Sequence, residues 1–341
     1  MAGSSSMIAH PTPPAGGRPT PGRAVPRRPA VRCLVATVLC VLVLAGCGLR
    51  LDTPPPEAPT PGPAEELRQE TAASSARLAA TVAALTERSE PQDGGPALER
   101  VAAEAEAHLD ALGGVWEAWP DGAPEGATPP EPAATAPVAD AAPGDVLELL
   151  TTGATQAREA ALAAPDEDLA ALLGSISLAR ARAAADLAAA LDAPPAEPPA
   201  APMSPETLLE RGVDGPTVRV LDQARYAYET VAARTDGSSR ESAESRVAQL
   251  QALVDTAIGA GAPDERAGVY GLPGADEEAG LSAQQSAVVD AETRLLEHWL
   301  FSLGRADAEV RGALLDAAAD SAARVRAWGG SPPALPGLPE G

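Results

Sequence analysis

The sequence predicts an all-α protein built of helical bundles. Three observations carry that prediction. Alanine fills 77 of the 341 positions and, with Leu, Arg and Glu, makes a composition that favours helix. Aromatic residues are 2% of the chain and Phe301 is its single phenylalanine, so the β-branched and aromatic enrichment of an all-β fold is missing. Apolar residues recur at helical spacing between breaks rich in proline and glycine. Composition also excludes functions. Every one of the 25 basic residues is Arg, yet the formal net charge is −23, the opposite of the basic footprint a nucleic-acid binder needs. The three cysteines, Cys33, Cys40 and Cys47, all lie near the N-terminus, which rules out a disulfide scaffold or a Cys-based zinc site in the body.

Residues 1–46 contain no acid and five arginines, Arg18, Arg23, Arg27, Arg28 and Arg32. The 14-residue apolar run Cys33–Gly46 follows, too short for a spanning helix and suited to the core of a signal peptide. It ends Leu44-Ala45-Gly46-Cys47, which resembles the lipobox of bacterial lipoproteins. Cleavage before Cys47 would present its thiol for acylation, so Cys47 is the expected lipidation site and the chain is expected to be held on the extracytoplasmic face of the cell membrane. Loss of residues 1–46 leaves 20 Arg against 48 acids, a formal charge near −28. Residues 47–63 hold the proline-rich run after Cys47 and read as a stiff, extended tether of the polyproline kind. Signal and tether are expected to be disordered, outside the fold.

Eight helices follow in order. The first, about Ala64 to Arg88, carries Leu78, Val82 and Leu85; the second, about Ala97 to Leu112, carries Leu98, Val101, Ala105 and Leu109. The third spans about Asp145 to Ala164 and the fourth about Asp166 to Leu191, with Leu169, Leu172, Ile176 and Ala183 on its stripe. A linker with five prolines, residues 193–203, separates these from the second set. Ser204-Pro205-Glu206 then reads as an N-cap, a first-turn proline and an acid on the helix dipole. The second set runs from about Pro216 to Thr235, Ser239 to Ala260, Leu281 to Leu303 and Ala306 to Trp328, with Tyr228, Trp299, Phe301 and Trp328 as its large core residues.

The halves repeat one plan. Residues 81–86 read TVAALT and residues 230–235 read TVAART, and Arg100-Val101-Ala102 recurs as Arg246-Val247-Ala248. Each half has a short first connection, a long second one (Gly113 to Gly144; Gly261 to Gly280) and a short third. Four helices with one long central crossover make the ferritin-like arrangement, which an up-down bundle would not need. The expected domains are therefore a signal peptide (1–46), a tether from lipidated Cys47 (47–63), an N-terminal helical bundle (64–192), a linker (193–203) and a C-terminal ferritin-like bundle with a proline-rich tail (204–341). The lipobox, the tether, the Ala-rich helices and the ending Pro332-Pro333-Ala334-Leu335-Pro336-Gly337-Leu338-Pro339-Glu340 together resemble cell-surface lipoproteins of high-GC actinobacteria with a C-terminal ferritin-like domain of unknown function. That resemblance covers Pro216 to Glu340 best, implies a ferritin-like fold and brings no established activity.

A ferritin-like metal pair needs a Glu from each of two helices and Glu-x-x-His from each of the other two. His108 has Ala105 three residues before it and His298 has Leu295, so neither completes the motif; Glu104 precedes His108 by four, Glu297 abuts His298, and Glu229, Asp290 and Glu292 lack an imidazole partner. Both histidines read as helix-face residues with one satisfied hydrogen bond. No nucleophile elbow or phosphate-cradling glycine loop is present. Trp116 and Trp119 open the first crossover and read as loop anchors; of Tyr226 and Tyr228, one is expected to be exposed. No catalytic, cofactor-binding or metal-binding residue is assigned. The function expected is a non-catalytic, membrane-anchored lipoprotein that binds or scaffolds an envelope protein partner and no nucleic acid. The alternatives are an atypical ferritin-like metal-binding or oxidase protein, or a small-molecule or lipid carrier.

Overall fold

The computed structural model describes residues 56–88, 94–128, 130–194 and 200–338. Cys47 and the expected signal lie outside them. Among the described residues there are nine α-helices and no strand; Asp276 and Leu281 form one isolated antiparallel bridge. The helices are α1 (Pro63–Thr86), α2 (Gly95–Ala111), α3 (Pro143–Ala163), α4 (Glu167–Ala190), α5 (Pro205–Arg211), α6 (Gly215–Ala232), α7 (Gly237–Gly259), α8 (Ala283–Arg305) and α9 (Ala308–Ala327). The all-helical prediction holds. The one helix beyond the eight expected is α5, whose start Ser204 marks: its hydroxyl accepts from the Thr207 amide at 3.1 Å.

Local chemistry sets the helix starts. Asp166 and Asp214 accept from the amides of Leu169 and Thr217 at 2.9 and 2.8 Å, and Ser282 with Gln285 makes a reciprocal capping box. Pairing then repeats between the halves. In the first, α1 packs on α2, α3 on α4, and α1 on α3; in the second, α6 packs on α7, α8 on α9, and α6 on α8. The long connections sit between the second and third helix of each set.

Both sets of helices lie in one compact unit, Pro56–Gly341. Helix α4 packs on α8, and a single apolar cluster joins Leu173 and Ile176 of α4 to Leu221, Leu250, Leu295 and Leu314 of the second half. Gly304 makes this approach close: a Cβ there would run into the backbone of Glu167. Met203 is buried in the same cluster, and the Ala201 amide donates to the Asp316 carbonyl at 3.2 Å. Proline removes donors but not apolar surface, so a proline-rich segment packs readily where its carbonyls and rings find a face. The C-terminal tail does the same, with the Pro336 carbonyl accepting from Ser175 at 2.7 Å and the Ala334 carbonyl 2.8 Å from His108 Nε2. One expectation is corrected here: Phe301 is not core, since it is 58% exposed and stacks under the Arg305 guanidinium, 3.8 Å from its ring centre. A smaller apolar cluster, with Leu85, Leu98, Val101, Val146 and Leu187, fills the first half around α1 to α4.

Candidate functional site

The centre of the second set of helices is ionic. Its four long helices each contribute: Tyr228 from α6, Arg246 from α7, Glu292 from α8, and Asp320 with Arg324 from α9. Tyr228, Arg246 and Glu292 sit where the apolar stripe would place a core residue, and Asp320 and Arg324 are half-buried beside them. Arg246 precedes Leu250 by one turn, and Glu292 lies between Val288 and Leu295. Glu292 is 0% exposed and both its oxygens are engaged. Oε1 accepts from the Tyr228 hydroxyl and from Arg246 Nε, each at 2.8 Å, and Oε2 accepts from Arg246 Nη2 at 2.8 Å. The guanidinium thus grips the carboxylate as a fork, the strongest arrangement the two groups can make. Its remaining Nη1 donates to Asp320 Oδ2 at 3.1 Å, and Arg324 Nε reaches the same oxygen at 2.9 Å. Two acids and two guanidinium groups cancel. Burial, and then the neighbouring Glu292 carboxylate, push the Tyr228 phenol up, so Tyr228 acts as a donor and not as a base. Trp328 closes the ring edge-on against Tyr228, with centroids 6.3 Å apart at 82°.

A carboxylate-bridged metal pair does not fit these residues. A metal pair of the ferritin-like kind needs free carboxylate lone pairs and imidazole nitrogens. Glu292 has spent its two oxygens on Arg246 and Tyr228, and the Asp320 oxygen nearest the centre is held by two guanidinium groups. Arg246 stands where a cation would have to sit. Among the described residues, no group of three or more His, Cys, Asp or Glu is placed to hold a metal ion. Glu229 is paired with Arg225, and Asp290 with Arg294 at 3.0 Å.

The histidines lie elsewhere. His108 is buried on α2 with Nε2 on the Ala334 carbonyl, while its Nδ1 finds no partner among the described residues. Burial, then the charges of Arg180 and Arg182, push it down to about 4. His298 Nε2 lies 3.1 Å from the Thr217 hydroxyl; burial, then Arg211, brings it to about 4 as well. Glu104 pairs with Arg182 at 2.5 Å instead of facing a metal with His108. Trp116 and Trp119 are half-buried on the first crossover, where the Trp116 amide donates to Gln69 Oε1 at 2.6 Å. Tyr228 is the buried tyrosine; Tyr226 packs against Tyr270, whose hydroxyl donates to buried Asp222 at 2.8 Å and pins the second crossover. Sequence reasoning searched for a partner of Glu292 among imidazoles and missed that it is a guanidinium. The available signal was an Arg on an apolar stripe, Arg246-x-x-x-Leu250-x-x-x-Val254, and the same signal marks Arg180 on α4.

Among curated proteins and among solved structures, nothing matches this chain. A domain of unknown function, DUF4439, is found at residues 217–340, the stretch from the first turn of α6 to the tail that contains all five residues of the ionic centre.

Proposed function

We propose that the protein is a lipid-anchored extracytoplasmic lipoprotein whose ferritin-like helical body is non-catalytic and serves to bind or scaffold an envelope protein partner. The observation that carries the non-catalytic reading is that both oxygens of the Glu292 carboxylate are engaged: the bundle supplies its own central cation in Arg246, where a metal would have to sit. Support for the ferritin-like reading is the pairing of α6 with α7 and α8 with α9 about a long crossover. Support for anchoring is the lipobox ending at Cys47 after a short apolar run and five arginines, followed by a proline-rich tether. An acidic body repels an anionic membrane surface, so a stiff tether would hold it outward, toward partners. Fractionation of cells that carry the Cys47→Ser change tests the anchor. Release into the medium, or a stalled precursor, is expected; unchanged membrane attachment would refute it. Crosslinking in intact cells, with identification of what is captured, tests the binding role.

A further inference from the structure

A groove runs between α1 and α3 under the first crossover, with a volume of about 480 Å³. Its walls are apolar at Ala73, Leu149 and Ala133, and polar at Ser74, Arg77 and Gln156. Arg77 is the unusual member. In a chain with nearly two acids for each Arg, its side chain has no ion-pair or hydrogen-bond partner among the described residues, and its Nε is buried unsatisfied. The Ser74 hydroxyl, one turn away, is uncommitted among them too.

The floor adds a second guanidinium. Gly153 lines the groove, and directly behind it lies Arg180, which is 2% exposed. Arg180 has no carboxylate partner among the described residues. It donates from Nη1 to the Gly153 carbonyl at 3.1 Å and from Nη2 to the Thr71 carbonyl at 3.3 Å and the Ser75 hydroxyl at 2.7 Å, and its Nε is unpartnered. A buried charge answered only by neutral dipoles is costly, and the cost falls if an anion comes near. Glycine at 153 lets the two approach: a Cβ there would stand 2.9 Å from Arg180 Nη1 and 3.4 Å from Ser74 Oγ. The notch left by the missing side chain is therefore bounded by two donors, with Arg77 beyond Ser74 on the same wall. The acids that line the groove, Glu66 and Glu70, stand about 16 and 10 Å further along α1 from Arg77. One end of the groove is thus positive, and unpaired.

We propose that this end is an oxyanion site, which takes the carboxylate or phosphate group of a small ligand on Arg77 and Ser74 in the field of Arg180. The site is remote in sequence from the DUF4439 region and stands whether or not Cys47 carries lipid. The test is calorimetric titration of the full chain with inorganic phosphate and with acetate, at ionic strength held constant with chloride. Saturable binding of one of them, one per chain, is expected. Arg77→Gln should weaken it at least tenfold, Ser74→Ala severalfold, and Arg77→Lys should recover part of the loss. Helical circular dichroism of each variant, unchanged from wild type, shows that the fold has survived, since the Arg77 side chain holds no other group among the described residues. The preferred anion tells phosphate from carboxylate. No saturable binding above chloride, or binding that Arg77→Gln leaves unchanged, would overturn the proposal.

Discussion

Replacement of Arg246 by Met keeps much of the side-chain volume and removes the charge. Glu292 then loses two of its three hydrogen bonds and its counter-ion while it remains fully buried, with only the Tyr228 hydroxyl left to it. Removing one partner of a buried ion pair costs about 3–5 kcal/mol. For a body of this size that corresponds to a fall in melting midpoint of roughly 5–8 °C. The double variant Arg246→Met/Glu292→Leu replaces the pair by apolar groups and should regain most of the loss, because both desolvation penalties vanish together. Urea unfolding followed by circular dichroism gives all of these values. A single variant that loses less than about 1 kcal/mol, or a double variant no better than the single, would show that the fork contributes nothing beyond ordinary surface pairing.

Other outcomes are expected from the same geometry. His108 is neutral when folded and titrates near 4, against 6.5 when free, so the unfolded chain binds its proton first; stability should fall as pH drops from 6.5 to 4, by about 3 kcal/mol from this group, and His108→Gln should flatten that limb of the stability–pH curve. Because one apolar cluster spans both halves, calorimetry should show one transition for residues 56–341; separate melting of the two halves, each expressed alone, would restore the two-domain picture. Gly304→Val should cost more than 1 kcal/mol and separate α8 from the start of α4, measured by hydrogen exchange at Glu167 and its neighbours. Asp222→Ala frees the Tyr270 hydroxyl and should open the second crossover to limited proteolysis near residues 264–272.

The helices were legible because alanine-rich stretches between prolines leave the chain few alternatives, and the stripe on α8 at Val288, Leu295 and Trp299 is buried as its spacing implies. The repeat in connection lengths anticipated the repeated helix pairing. What the sequence hid was long-range. Nothing local says that α4 lies on α8, since Gly304 reads as a weak helix former until the Glu167 backbone is found against it. The tail looked open because proline suggests extension, while its packing depends on partners far away in the chain, His108 of α2 and Ser175 of α4. Phe301 was assigned to the core by its size, but it stands one position past Leu300, off the stripe. The ionic centre was half visible: Glu292 stood out as a carboxylate without a histidine, but only the fold shows that α7 delivers Arg246 to it. The groove of Arg77 and Gly153 left no motif, because its two walls are far apart in the chain.

The most direct test of the claim that Arg246 is the central cation of this bundle is the metal content of the full chain, purified without chelator and measured by mass spectrometry. Far less than one iron, manganese or zinc per chain is expected, unchanged after incubation with each metal and desalting. Near-stoichiometric metal that Glu292→Ala removes would contradict it.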